Sequence, residues 1–313
     1  MLGKTAGGLF WMFRGLERAE NTARLIEAGF RIALTRSVDP EGEWKSVIVS
    51  SAQQTAYEAK HSGYSSDAVC DFLLRDLDNL SSVRATIKAA RDNARLTRTA
   101  LTTEVWSAVN ETWMALDQRL AHPIPKRELP DVLELIRQQS ALVRGALHGT
   151  MLRNDIYDFC RLGTFIERAD STARIVDVKY HTLLPTPSMV GSRMDNVQWE
   201  MILRSVSAHR SFRWAVDGDY NAVNIARFLI LDRRMPRSLA HCAKALVEHL
   251  SYLSEEYGQQ SDSLKQAKAF DASLKGRDIT SIFDEGLHEF TSAALTTVAG
   301  LGLQIEADFR FIS

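Results

Sequence analysis

No stretch of this chain is apolar for long enough to cross a bilayer. The longest late run, Phe290 to Ile305, covers 16 residues and is broken by threonines and glycines, whereas a spanning helix needs about 20. Charge of one sign is missing as well: 38 basic residues face 39 acidic ones, for a formal net charge of −1. That balance offers no field to draw in nucleic acid or an anionic membrane, so neither is expected as a partner. Cysteine is scarce. Cys70, Cys160 and Cys242 stand far apart without a CxxC, and read as small buried hydrophobes in a reducing compartment. The first residues, Lys4 and then an uncharged stretch up to Arg14, make a poor secretory signal. A cytoplasmic protein is expected. Prolines number seven, and the alternation that marks β-strands is rare.

What is present is a repeat. Glu17-Arg18-Ala19-Glu20-Asn21-Thr22-Ala23-Arg24-Leu25-Ile26 returns as Glu167-Arg168-Ala169-Asp170-Ser171-Thr172-Ala173-Arg174-Ile175-Val176, identical at six of ten positions. The likeness extends further. Trp44 and Ser50-Ser51-Ala52 match Trp199 and Ser205-Val206-Ser207-Ala208, and Phe72-Leu73, Asp76 and Ser82 match Phe228-Leu229, Asp232 and Ser238. Residues 1–149 and 150–313 therefore read as two internally duplicated halves, joined without a Pro/Ser-rich linker into one compact domain. A unit this long is not a solenoid repeat, whose period is about 20–50 residues.

Almost every long segment has helical period, so the fold class is all-α, a helical bundle. The motif helices are expected at about 5–36 and 153–184, the first ending before Asp39-Pro40-Glu41-Gly42. Shorter helices follow near 43–60 and 65–77. Ser81-Ser82 opens a long helix to Leu120, and another runs from Pro130 to His148. The second half repeats the order near 197–211, 221–232 and 237–258, and the C-terminal region should break at Gly276 and at Gly300-Leu301-Gly302.

On the first motif helix, Leu16, Ala19, Ala23, Ile26, Phe30 and Ala33 share a core face. Glu17, Glu20, Arg24, Glu27 and Arg31 form a charged stripe beside it, flanked by apolar residues. The second helix carries Glu167, Asp170, Arg174, Asp177 and His181 at the same places. Charged stripes at this spacing form i,i+4 ion pairs at a solvated surface. A stripe that recurs with apolar flanks is instead expected to face inward, as a paired network or a ligand site. A basic stripe, Arg84, Lys88, Arg91, Arg95 and Arg98, is almost erased in the second half, where Ala240, Lys244, Val247, Ser251 and Ser254 stand. The second helix's carboxylates, with few basic partners in their own half, must be exposed, be met by the first half's arginines or bind something cationic, and Arg95 and Arg98 are expected to serve carboxylates of one or both motif helices.

These residues resemble the alpha-E family, an all-helical bacterial family named for its Glu-Arg motif. The resemblance runs over most of the chain through Leu16 to Arg24, Asn93-Ala94-Arg95 … Arg98 … Glu104-Val105-Trp106 … Asn110, Ile166-Glu167-Arg168-Ala169-Asp170 and Pro236-Arg237-Ser238. An arginine three residues before the Glu, which the family tends to carry, is present as Arg14 and replaced by Thr164 in the second copy. The family's usual neighbours are ATP-grasp peptide ligases and transglutaminase-like cysteine proteases. What the resemblance implies is a role in making, modifying or processing peptides or amide-linked conjugates.

Two functional readings follow. In the first, the protein is an accessory or binding module acting with such a ligase and protease, and the repeated residues, Glu167, Arg168, Asp170 and Arg174 included, form a structural network. In the second it is an enzyme on a peptide or amino-acid conjugate: Arg14, Arg24, Arg95 and Arg98 clamp an anionic group, and Glu17 or Glu20 is the general base. The first is favoured, since the repeated residues are those of ion pairs rather than a nucleophile or ligand set. No cofactor and no metal site is expected. Glu58-x-x-His61 and Glu285-x-x-His288 do not occupy equivalent places in the two halves, arginines interleave the acidic residues, and Gly7-Gly8 lacks the Lys-Ser/Thr of a phosphate loop.

Overall fold

The computed structural model describes residues 1–33, 40–182, 193–216, 218 and 220–311, and among them every regular element is helical. The first half contains α1 (Gly3–Ala33), α2 (Pro40–Ser50), α3 (Gln54–Glu58), α4 (Ser66–Leu74), α5 (Val83–Leu96), α6 (Thr103–Leu120) and α7 (Leu129–Thr150). The second contains α8 (Asp155–Thr182), α9 (Arg193–Ser205), α10 (His209–Ala215), α11 (Ala222–Leu231), α12 (Leu239–Tyr257), α13 (Asp262–Leu274), α14 (Ile279–Glu285) and α15 (Leu287–Asp308).

The motif helices α1 and α8 pack along each other at the centre. Helices α5 and α7 flank α1, α12 and α15 flank α8, and α2 and α9 each touch both motif helices. The local chemistry matches between the two sides. Ser82 caps α5 by accepting from the Ala85 N–H at 3.2 Å, and Ser238 caps α12 from His241 at 3.0 Å. Trp44 and Trp199 are both buried, and α2 and α9 each run into a left-handed residue, Ala52 (φ 57°) and Ser207 (φ 55°). The three cysteines are free and buried. No helix among the described residues is long and apolar enough to cross a membrane.

Several expected bounds need correction, beginning with the helices near 43–60 and 197–211, each of which is two, α2 with α3 and α9 with α10, broken at Ala52 and Ser207. The long helix from Ser81-Ser82 to Leu120 is two helices, because the threonine-rich stretch Thr97–Thr103 competes for its own backbone. The Thr97 hydroxyl donates to the Asn93 carbonyl at 2.9 Å, and Thr102 caps α6. The expected turn cluster Asp39-Pro40-Glu41-Gly42 falls, from Pro40 on, inside α2, where a missing N–H at the first position is harmless; Asp39 lies outside the described residues. Gly300 and Gly302 lie inside α15, and the late break comes at Gly286, whose φ of 101° suits glycine.

Candidate functional site

Successive residues on a helix point about 100° apart, so a Glu-Arg neighbour pair cannot close on itself. Here each arginine crosses to the other helix's glutamate. Arg168 donates from Nε (3.0 Å) and Nη2 (2.8 Å) to the two oxygens of Glu17. Arg18 donates in the same bidentate way to Glu167, at 2.6 and 2.8 Å. The exchange ties α1 to α8 with two parallel forks.

Each glutamate then gathers further arginines, but different ones. Glu167 also takes Arg14 Nε at 3.0 Å. Glu17 meets Arg237 Nη1 at 2.8 Å, from the residue just before the Ser238 cap of α12. Glu20 accepts from Arg24 one turn on (2.6 Å), from Arg237 (3.2 Å) and from Arg144 of α7. Asp170 pairs with Arg174 at 2.8 Å. Glu17 and Glu20 are only 2% and 1% exposed, and Glu167 5%, so the arginines must compensate for lost water. Burial pushes the Glu17 carboxyl up, but Arg168, Arg237 and Arg144 outweigh it and hold it far below the usual carboxylate range. For Glu167 the same burial is outweighed by Arg18 and Arg14, and Glu20 is lowered by Arg237 and Arg144 against burial and its neighbour Glu17.

Acid sensitivity follows. Carboxylates whose folded pKa is depressed contribute stability above their unfolded pKa, about 4.3, and lose it as pH falls toward the folded value. Urea unfolding should give near-constant stability from about pH 7 to 5 and a progressive decline below about pH 4. Full stability at pH 3 would contradict a paired, ionised network.

The structure places the candidate residues unevenly. Glu17, Glu20, Glu167, Arg168, Arg14 and Arg24 come together across α1 and α8, with Asp170 and Arg174 at the edge. Arg95 and Arg98 do not join them, and this corrects the expectation that they serve the motif carboxylates. The buried face of α5 is Val83, Thr86, Ile87, Ala90 and Ala94, with Thr86 and Ala90 against Gly15 of α1, and its basic stripe lies off that face, toward α6. There Arg84 pairs with Asp117, Arg91 donates to Asn110, and Arg98 lies 5.2 Å from the Trp106 ring centre, while Arg95 is exposed. The first half's arginines do reach the second helix's Glu167, but they come from α1 itself. Glu17 and Glu20, the candidate general bases, are each buried, paired with arginines and lowered in pKa, whereas a base must reach its substrate. The His181 side chain lies outside the described residues. Asp177 accepts from His288 Nδ1 and the Thr291 hydroxyl of α15, both at 2.7 Å.

Three network residues were missed as site residues. Arg18 carried a signal, being identical in both motifs. Arg237 stood in a stretch already singled out. Arg144 carried none, as one arginine on an amphipathic helix.

Two small cavities border the network. One, of about 180 Å³, is lined by Arg14, Arg18, Asn21, Glu167, Asp170 and Arg174 among others. The Asn21 oxygen accepts from Arg237 at 2.6 Å, and its NH2 has no partner among the described residues. The other, of about 250 Å³, holds Glu27 among the arginines at 24, 31, 137, 204 and 210. Neither is lined by Glu17 or Glu20. No three acidic, histidine or cysteine side chains gather as metal ligands among the described residues.

An all-helical domain cross-braced by two Glu-Arg pairs is the class that fold and site define. The chain belongs to the Alpha-E family, described as a predicted alpha-helical domain with a conserved ER motif, whose model matches residues 1–309. No curated protein and no solved structure matches it.

Proposed function

We propose that the protein is a binding module in a peptide- or amide-bond-forming, modifying or processing system, acting in the cytoplasm with an ATP-grasp ligase and a transglutaminase-like protease. The Glu-Arg exchange is scaffold in this reading, and it arose when one helical unit was duplicated and its two copies docked through their motif helices. Support for the duplication comes from the paired caps Ser82 and Ser238 and the paired left-handed turns at Ala52 and Ser207. The carrying observation for function is that Glu17 and Glu20 are buried and line neither cavity while Arg14 and Arg24 each border one. Binding capacity is kept at the edge, and the acid-base chemistry offered by Glu17 and Glu20 is not.

Affinity capture of the native protein from its own cells, with mass spectrometry of proteins and small molecules, tests this. Recovery of an ATP-grasp ligase or a transglutaminase-like protease is the expected result. Recovery of neither, while a folded Glu17→Gln variant accumulates an unprocessed peptide conjugate, would return the protein to the enzymes.

A further inference from the structure

A larger cavity, of about 790 Å³, lies between the first turns of α8 and one face of α12, away from the Glu-Arg carboxylates. Its buried lining includes Tyr157, Asp158, Phe165 and His249. Arg161 stands among them with an unmet need. Among the described residues its Nε is buried without a partner, Nη1 reaches only the His148 Nε2 at 3.2 Å, and no carboxylate pairs with it. Its guanidinium carbon lies 4.5 Å from the Phe165 ring centre. Burial, reinforced by the charges of Arg168 and Arg144, lowers its pKa, though not enough to discharge a guanidinium at neutral pH. A half-buried cation left in this condition is a cost unless an anion meets it.

The neighbouring hydrogen bonds have a direction. Burial and then Arg161 press the His148 pKa down to about 4, so the ring is neutral. Arginine can only donate, so His148 Nε2 accepts and its Nδ1–H must donate to the Tyr157 oxygen, 2.8 Å away. The Tyr157 proton is thereby left free for another acceptor. On the opposite helix, His249 Nδ1 lies 2.7 Å from Asp158 Oδ1. In the neutral ring that contact makes Nδ1 the donor and leaves Nε2 as an acceptor. The other acids of the cavity do not satisfy Arg161: Glu248 accepts from Tyr252, and Glu255 and Glu256 are exposed. Rings of Tyr157 and Phe165 each lie about 6 Å from that of His249, an aromatic surface for an organic body.

We propose that this cavity binds an organic oxyanion, a carboxylate or phosphoryl group, with Arg161 and Tyr157 donating to the anion and His249 accepting from a donor on the ligand body. The inference stands on this cavity alone and does not depend on the partners proposed above.

Isothermal titration of the whole protein against N-acetyl-dialanine, its C-terminal amide and inorganic phosphate tests it. Binding of the free acid but not of the amide identifies a carboxylate ligand, and binding of phosphate alone identifies a phosphoryl one. Arg161→Gln should weaken the anion by about tenfold or more, with a melting temperature equal to or above that of the parent, because no carboxylate is stranded. Tyr157→Phe should weaken binding by about threefold to tenfold, and it removes only a hydroxyl. The proposal is overturned if neither anion binds, if the amide binds as tightly as the acid, or if both variants bind as the parent does. Unfolding of Arg161→Gln would equally contradict a guanidinium without a partner.

Discussion

Replacing Glu17 by alanine is expected to cost about 3–5 kcal/mol of stability, because it strands several buried guanidinium groups at once. Arg168 loses both of its carboxylate bonds, Arg237 its shortest one, and Arg144 a longer contact. None of the three can turn to water cheaply, least of all Arg168 and Arg237, whose side chains are each 9% exposed. In thermal unfolding the loss should appear as a fall in Tm on the order of 10 °C. Arg168→Ala should cost a similar amount, and the double variant less than the sum, by about 0.5–3 kcal/mol, since each change removes the other's penalty. Arg95→Ala supplies the contrast: the residue is exposed and outside the network, so its cost should stay within about 0.5 kcal/mol and add to any other. A Glu17→Ala variant within about 1 kcal/mol of the parent would mean that the exchange is as weak as a surface ion pair.

The difference between Glu17 and Arg95 shows what could be read from the chain. Periodicity gives helix class and burial, since core faces repeat every three to four residues and bury accordingly. Leu16, Ala19, Ala23 and Ile26 on α1 are all buried. It also showed that the charged stripe of α1 has apolar flanks, and its first members, Glu17 and Glu20, do face inward, while Glu27 and Arg31 at its far end reach the surface. Partners are another matter. A stripe's period does not say which neighbour it meets, and the basic stripe of α5 turned out to look toward α6. Finding Arg144 and Arg237 required knowing that α7 lies along α1 and that the cap of α12 points at Glu17, which are tertiary facts. The break between α5 and α6 was within reach, because four threonines in the seven residues Thr97–Thr103 are poor helix interior and good capping material. The cavity between α8 and α12 was not. Asp158 and His249 are 91 residues apart, and no local pattern links them.

Gly163→Ala is the other substitution expected to do large damage, and it tests the docking of α1 on α8 without touching a charge. A methyl group at this position would lie 2.1 Å from the Phe10 carbonyl oxygen and 3.2 Å from the Arg14 nitrogen. Those atoms are backbone of α1, so no rotamer change relieves the clash, and the helices must move apart. Glycine in a helix interior costs about 1 kcal/mol relative to alanine, so intrinsic propensity alone would make the substitution favourable. Overpacking should reverse that sign and leave a net loss of about 1–3 kcal/mol or more. Because α1 and α8 also hold the crossed Glu-Arg pairs, separation at Gly163 should loosen the Arg14–Glu167 contact one turn away. Gly145, inside α7 with nothing within 4 Å of the added carbon, gives the matched control. There alanine should stabilise by about 0.5–1 kcal/mol. Chemical denaturation of the two variants beside the parent decides the point. Opposite signs place the closest approach of the motif helices at Gly163, and a gain at both positions would mean that α1 and α8 are not held backbone to backbone there.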